Sequence, residues 1–112
     1  MENTCEYCQI KGGYGDLIWK TKYWLIFLAP SQRYLGTCVV ALKRHATDLY
    51  QLKKEEWIEF AIIVRKMELT LSKLLKPTLF NWSCFKNATF RTDTPRPDIH
   101  WHLIPRYQEE IY

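Results

Sequence analysis

Asp98-Ile99-His100-Trp101-His102-Leu103-Ile104-Pro105-Arg106 is the stretch on which the fold reading turns. In an extended strand successive side chains point to opposite faces, so Asp98, His100 and His102 share one face while Ile99, Trp101 and Leu103 share the other. One side suits a core; the other carries a carboxylate and two imidazoles. A lone His on such a wet face needs no explanation, but two of them alternating with an Asp point to chemistry. An unperturbed imidazole titrates near about 6.5, so at neutral pH it is a nucleophile at little cost in deprotonation, and covalent catalysis at phosphorus is feasible.

Outward from this strand, residues 17–19 and 23–28 are rich in β-formers and are separated by the short polar Lys20-Thr21-Lys22, which predicts a hairpin. A loop follows, then a β-branched run over 37–42 that predicts a third strand, and a short helical turn over 48–52. From Glu55, the residues Trp57, Phe60, Ala61, Val64, Met67, Leu71, Leu74 and Leu75 recur at three- and four-residue steps, which predicts one long amphipathic helix ended by Pro77. Phe80, Trp82 and Cys84 alternate with polar neighbours and predict a fourth strand over 80–87. Residues 88–97 have loop composition and lead into the last strand, 98–104. Five strands and one helix predict an α+β fold, with a mainly antiparallel sheet covered by the helix on one face, in a single domain over residues 1–112.

Composition narrows the function. At 112 residues, 47% hydrophobic and 15% aromatic, the chain has the makings of one packed core and not of a disordered segment. A net charge of +4 suits an anionic ligand and falls short of a dedicated nucleic-acid binder. The longest uncharged apolar run, 24–30, is far below the roughly 20 residues of a membrane helix. The start, Met1-Glu2-Asn3-Thr4-Cys5-Glu6, resembles no secretion signal, so the expected compartment is the cytoplasm. There the two glycosylation patterns, at Asn81 and Asn87, carry no weight, and the four cysteines read as thiols or metal ligands. Cys5 and Cys8 are close enough to share a task; Cys38 and Cys84 read as core. Ser83-Cys84-Phe85-Lys86 fits a Ser-x-x-Lys pattern, but that chemistry needs a helix, and this segment reads as strand. Lys43, Arg44, Arg91, Arg96 and Arg106 are candidates for a positive rim around a polyphosphate, with solvated surface charge as the plainer reading of each.

The 98–106 stretch resembles the histidine-triad motif, His-φ-His-φ-His-φ-φ with φ apolar, with the first His replaced by Asp98. The resemblance continues in family order through Cys5-Glu6-Tyr7-Cys8, the strand pair, Val39-Val40-Ala41-Leu42-Lys43-Arg44-His45, Thr47-Asp48-Leu49 and Glu55-Glu56, and so covers nearly the whole chain. It implies a nucleotide hydrolase or nucleotidyl transferase that cleaves a dinucleoside polyphosphate or a nucleoside phosphoramidate at the α-phosphate. His100 is the implied nucleophile, forming a nucleotidyl-histidine, and His102 lies against the phosphate oxygens. Asn87 matches a polar residue near the reacting phosphate, and Thr94 stands with Pro95 where relatives have Ser or Gln. Trp19 and Phe27 are placed by analogy against the base, ordinary core being the alternative for each. The resemblance further implies a structural zinc held by Cys5, Cys8, His45 and Asp98, oxygen being an acceptable fourth ligand, and a homodimer. Ala29 stands where relatives carry an acidic residue for the ribose hydroxyls. With Asp98 and Pro95, it motivates the alternative of a nucleotide-binding regulator that has lost turnover.

Overall fold

The computed structural model describes residues 14–85 and 98–110. Its elements are β1 (Asp16–Lys20), β2 (Trp24–Leu28), β3 (Cys38–Leu42), a 3-10 turn at Leu49–Gln51, the helix α1 (Lys54–Leu75), β4 (Leu79–Ser83) and β5 (His100–Arg106). The strands form one sheet in the order β1-β2-β3-β5-β4, every neighbouring pair antiparallel. The fold is α+β, five strands and one long helix, as the sequence predicts. Cys5, Cys8, Asn87 and Thr94 lie outside the described residues; of the strand expected over 80–87, β4 ends at Ser83, Cys84 and Phe85 lie beyond its end, and residues 86 and 87 are outside the described residues.

Alternation divides the sheet into two faces. Trp24 and Ile26 of β2, Cys38, Val40 and Leu42 of β3, and Ile99 and Leu103 in and before β5 pack with Ile63, Met67 and Leu71 of α1 into the main core. Burying an aliphatic side chain as fully as Leu103 contributes about 1.5–3 kcal/mol. Polar groups fasten the helix to the sheet as well: Trp24 Nε1 donates to the Glu56 carbonyl (3.0 Å), Tyr23 N–H to Glu59 (2.7 Å) and Trp82 Nε1 to Glu68 (2.7 Å). On this face Trp101 Nε1 is buried with no hydrogen-bond partner among the described residues. Leu25, Phe27, Val39 and Ala41 form a second, thinner cluster on the opposite face, with Tyr14 and Ala29 against it.

The helix has the predicted extent but a different buried stripe. Ile63 is completely buried, whereas Trp57 and Leu74 are exposed (40% and 71%). Apolar side chains occur all round α1, Ile58, Ile62 and Leu69 included, so spacing alone does not set which of them turn inward. At its end Lys76 takes the left-handed conformation (φ 51°, ψ 54°) and Pro77 closes off any continuation.

Candidate active site

β5 lies between β3 and β4, and its register builds the site. His102 stands opposite Val39 on one side and Ser83 on the other, and His100 stands opposite Ala41. These small neighbours leave the imidazoles standing above the sheet on the face away from the helix. The two rings are 5.2 Å apart, nearly at right angles. Both are half-buried.

His100 Nδ1 lies 2.9 Å from the backbone carbonyl of Asp98. A carbonyl oxygen only accepts, so Nδ1 carries the proton and, in the neutral ring, Nε2 holds the lone pair. The strand's own start thereby fixes the tautomer a nucleophile needs. Burial, and secondly the charge of neighbouring His100, hold the His102 imidazole below the ordinary histidine value, so it resists protonation and acts near neutral pH as an uncharged donor or acceptor. Two imidazoles this close disfavour a doubly charged state.

Beyond the strand ends the β3–β5 pairing continues: Leu42 N–H donates to the Ile99 carbonyl (3.1 Å) and Ile99 N–H to that of Ala46 (3.2 Å). The continuation carries Asp98 to His45, with Oδ1 and Nδ1 3.8 Å apart. That is too long for a hydrogen bond. The His45 loop is itself locked from behind. Arg44 grips the buried Glu56 through Nε (2.6 Å) and Nη2 (2.9 Å) and also donates to the Gln51 carbonyl (2.6 Å). The bond from Arg44 holds the Glu56 carboxyl below its ordinary value despite its burial, and the Lys53 N–H (2.8 Å) adds to this.

Several expectations change here. Arg44 is paired with Glu56 and Arg106 with Glu110 (2.8 and 2.7 Å), with the Arg106 guanidinium over the Tyr34 ring, while Arg91 and Arg96 lie outside the described residues. Trp19 and Phe27 are not on one face. A bulge at Ile18 sets Leu17 opposite Phe27 but Trp19 opposite Ile26, which turns Trp19 to the helix-side core. Phe27 is on the histidine face, 2% exposed, with the Tyr14 ring 5.9 Å away. Tyr14 also lies 5.0 Å from the His100 ring, planes 36° apart. Tyr14 escapes the sequence reading because it precedes the first strand in a Gly-rich stretch with no periodicity; Arg44–Glu56 escapes it because the pairing is tertiary. Burial pushes the Cys38 thiol up to about 11, so it is an inert core residue.

Residues 13–109 match the model of the HIT domain family. The chain is a HIT protein. None of the curated proteins matches it. Among solved structures, a HIT family protein from Bacillus anthracis is 26% identical to this one, with 98% of this chain and 78% of that one covered at a TM-score of 0.77. The diadenosine triphosphate hydrolase of Plasmodium falciparum is 21% identical, over 87% and 65% of the two chains, with a TM-score of 0.70. A zinc-bound histidine triad family protein from Mycobacterium smegmatis is 22% identical, over 96% and 78%, with a TM-score of 0.71. The HIT fold thus places its histidine pair on β5. Among the described residues of this HIT protein, no cluster of three or more metal-ligating side chains occurs, and no helix is long and apolar enough to cross a membrane.

Proposed function

We propose that this HIT protein transfers a nucleotidyl group through His100, hydrolysing a dinucleoside polyphosphate or a nucleoside phosphoramidate. One observation carries the reading: the Asp98 carbonyl takes the Nδ1 proton of a histidine on the open face of a central strand, leaving the lone pair on Nε2, with a second imidazole 5.2 Å away. Nε2 attacks the α-phosphorus, an N–P bond forms, and the P–O or P–N bond to the leaving group breaks with its electron pair departing on that group. Water then attacks phosphorus, the N–P electrons return to Nε2, and nucleoside monophosphate leaves. Dividing the displacement in this way is the logic of covalent catalysis. His102, kept uncharged by its surroundings, donates a hydrogen bond to a phosphate oxygen as negative charge builds there. Asn87 and Thr94 are the further donors assigned to the phosphate. Phe27 supports the site from beneath Tyr14. The diadenosine triphosphate hydrolase among the similar structures supports the substrate class.

Zinc belongs to the proposal as a structural ion held by Cys5, Cys8, His45 and Asp98. Tetrahedral zinc with bonds of about 2.0 Å sets its ligand atoms about 3.3 Å apart. The 3.8 Å between His45 Nδ1 and Asp98 Oδ1 is close to that spacing, and a nitrogen and a carboxylate oxygen suit the ion, so the described half of the set fits. When bound, the ion supplies a cross-link between the N-terminal segment, the His45 loop and the start of β5. Its absence from the purified protein by elemental analysis, with a chelator leaving the melting temperature unchanged, overturns it. The reducing cytoplasm suits these thiols. A homodimer covering the exposed Trp57, Ile58 and Ile62 of α1 completes the proposal; a mass of 13.5 kDa by light scattering removes it.

The deciding experiment incubates wild type and His100→Ala with adenosine phosphoramidate and with diadenosine tetraphosphate and separates the products. AMP from wild type alone supports the reading. Binding without turnover, the outcome that Ala29 in the second cluster would favour by offering no acid to a ribose, makes the protein a nucleotide-binding regulator instead.

A further inference from the structure

Tyr14 has no task in the mechanism above, yet the backbone goes to some trouble to place it. The next residue, Gly15, has φ +105°, and a Cβ there would run into the Leu28 carbonyl oxygen, so only glycine allows the chain to bend this tightly against β2. The bend lays the Tyr14 ring on Phe27 and beside His100, 5.0 Å between centroids with the planes 36° apart. A cover for Phe27 alone would need only an apolar side chain. Contact with an imidazole that becomes charged makes the electronics of the ring matter.

We propose that the Tyr14 ring is an aromatic platform for the positive charge His100 carries once its Nε2 is bonded to phosphorus, which makes Tyr14 a positioning residue for the reaction; this rests on the reading of His100 as nucleophile. When the Nε2 lone pair forms the N–P bond and the leaving group departs with the electrons of the broken bond, Nδ1 keeps its proton on the Asp98 carbonyl. The ring is then an imidazolium. Hydrolysis reverses this: water oxygen bonds to phosphorus, the N–P pair returns to Nε2, and the imidazole is neutral again. The positive charge thus exists in the intermediate and in part in both flanking transition states. A π face within about 6 Å attracts it, and attracts the neutral ring less, so the contact lowers the barrier and does not merely tighten the ground state. His102, 5.2 Å away on the same strand, is uncharged and offers that charge no counter-ion, while Asp98 and His45 lie together at the strand's start. Tyr14 supplies a stabilising partner that needs no charge of its own and no proton.

The test replaces Tyr14 by phenylalanine and by its 4-fluoro, 3,5-difluoro and pentafluoro analogues, which keep the shape and drain the π face stepwise. Two rates are read: pre-steady-state release of the leaving group from diadenosine tetraphosphate, and chemical phosphorylation of His100 by potassium phosphoramidate, followed by phosphorus NMR and requiring no nucleotide. Tyr14→Phe is expected within about threefold of wild type, and the pentafluoro ring about five- to tenfold below Phe in both rates, with the intermediate analogues in order and KM unmoved. A series flat in both rates overturns the platform, and a flat series with normal turnover does so while leaving the nucleophile reading intact. Graded phosphorylation in a protein that turns over no nucleotide keeps the platform and overturns the proposed function. Failure of wild type in both reactions overturns both.

Discussion

The two faces of the sheet are made by the same strands and do opposite things. On the helix side Trp24, Ile26, Val40 and Leu103 are completely buried, and three α1 carboxylates, Glu56, Glu59 and Glu68, receive donors from Arg44, Tyr23 and Trp82. On the other side Leu25, Phe27, Val39 and Ala41 form a thin layer, and above it stand His100 and His102. The difference is one of neighbour size and cover. Where large side chains meet a helix, the strand buries its residues beyond the reach of a substrate; where β3 presents only Val39 and Ala41, β5 keeps its imidazoles accessible. Burial is concentrated on one face and the proposed chemistry on the other, so substitutions on β5 should separate by parity.

The largest separation of activity from stability is expected for His100→Ala. Loss of the proposed nucleophile removes the proposed covalent route and should lower turnover about a thousandfold or more, with the urea midpoint little changed because the side chain is half-buried on the thin face. A midpoint that falls with the activity would mean the two faces are not separable. Next in size is Leu103→Ala, on the odd face of the same strand. Removing a completely buried leucine should cost about 2–5 kcal/mol in urea unfolding, while turnover per folded molecule stays near wild type. Smaller again is Glu56→Gln, which leaves Arg44 without its carboxylate behind the His45 loop. A partly exposed guanidinium re-solvates, so about 1–3 kcal/mol is expected, and Arg44→Met should cost no less, because it leaves the buried carboxylate unpaired. Equal stability of Glu56→Gln and wild type would remove the pair from the account.

How much of this was legible follows from what each feature depends on. β5 and the long helix are periodic over many residues, and their existence, order and the shared face of His100 and His102 follow from that periodicity. The phase of the helix does not, since Ile58, Ile62 and Leu69 are as apolar as the Ile63 that the core takes. Trp19 fails for a local reason. Strict alternation puts it with Phe27, and one extra residue at Ile18 reverses its side. The Arg44–Glu56 lock spans a loop and a helix start, so charge alone leaves Arg44 as solvated surface or a candidate phosphate contact and does not reveal its partner. Tyr14 reaches His100 through a glycine bend that no pattern announces.

The finest test of the two-face comparison is the pH dependence contributed by His102. Burial and the neighbouring His100 disfavour its charged form in the fold, so its value lies below the ordinary 6.5 of the unfolded chain. The unfolded state therefore binds a proton more readily, and the native advantage is fully present above 6.5 and lost as pH falls below it through the folded value. The contribution is isolated as a difference between two proteins that share every other ionisable group. The decline in unfolding free energy between about pH 7 and pH 5 should be shallower in His102→Gln than in wild type. If the two curves run parallel, His102 is charged in the fold as easily as in water, and the imidazole pair lacks the uncharged member that the proposed phosphate-donor role requires. If they diverge, the thin face is polar enough for chemistry and dry enough to keep one of its two histidines neutral.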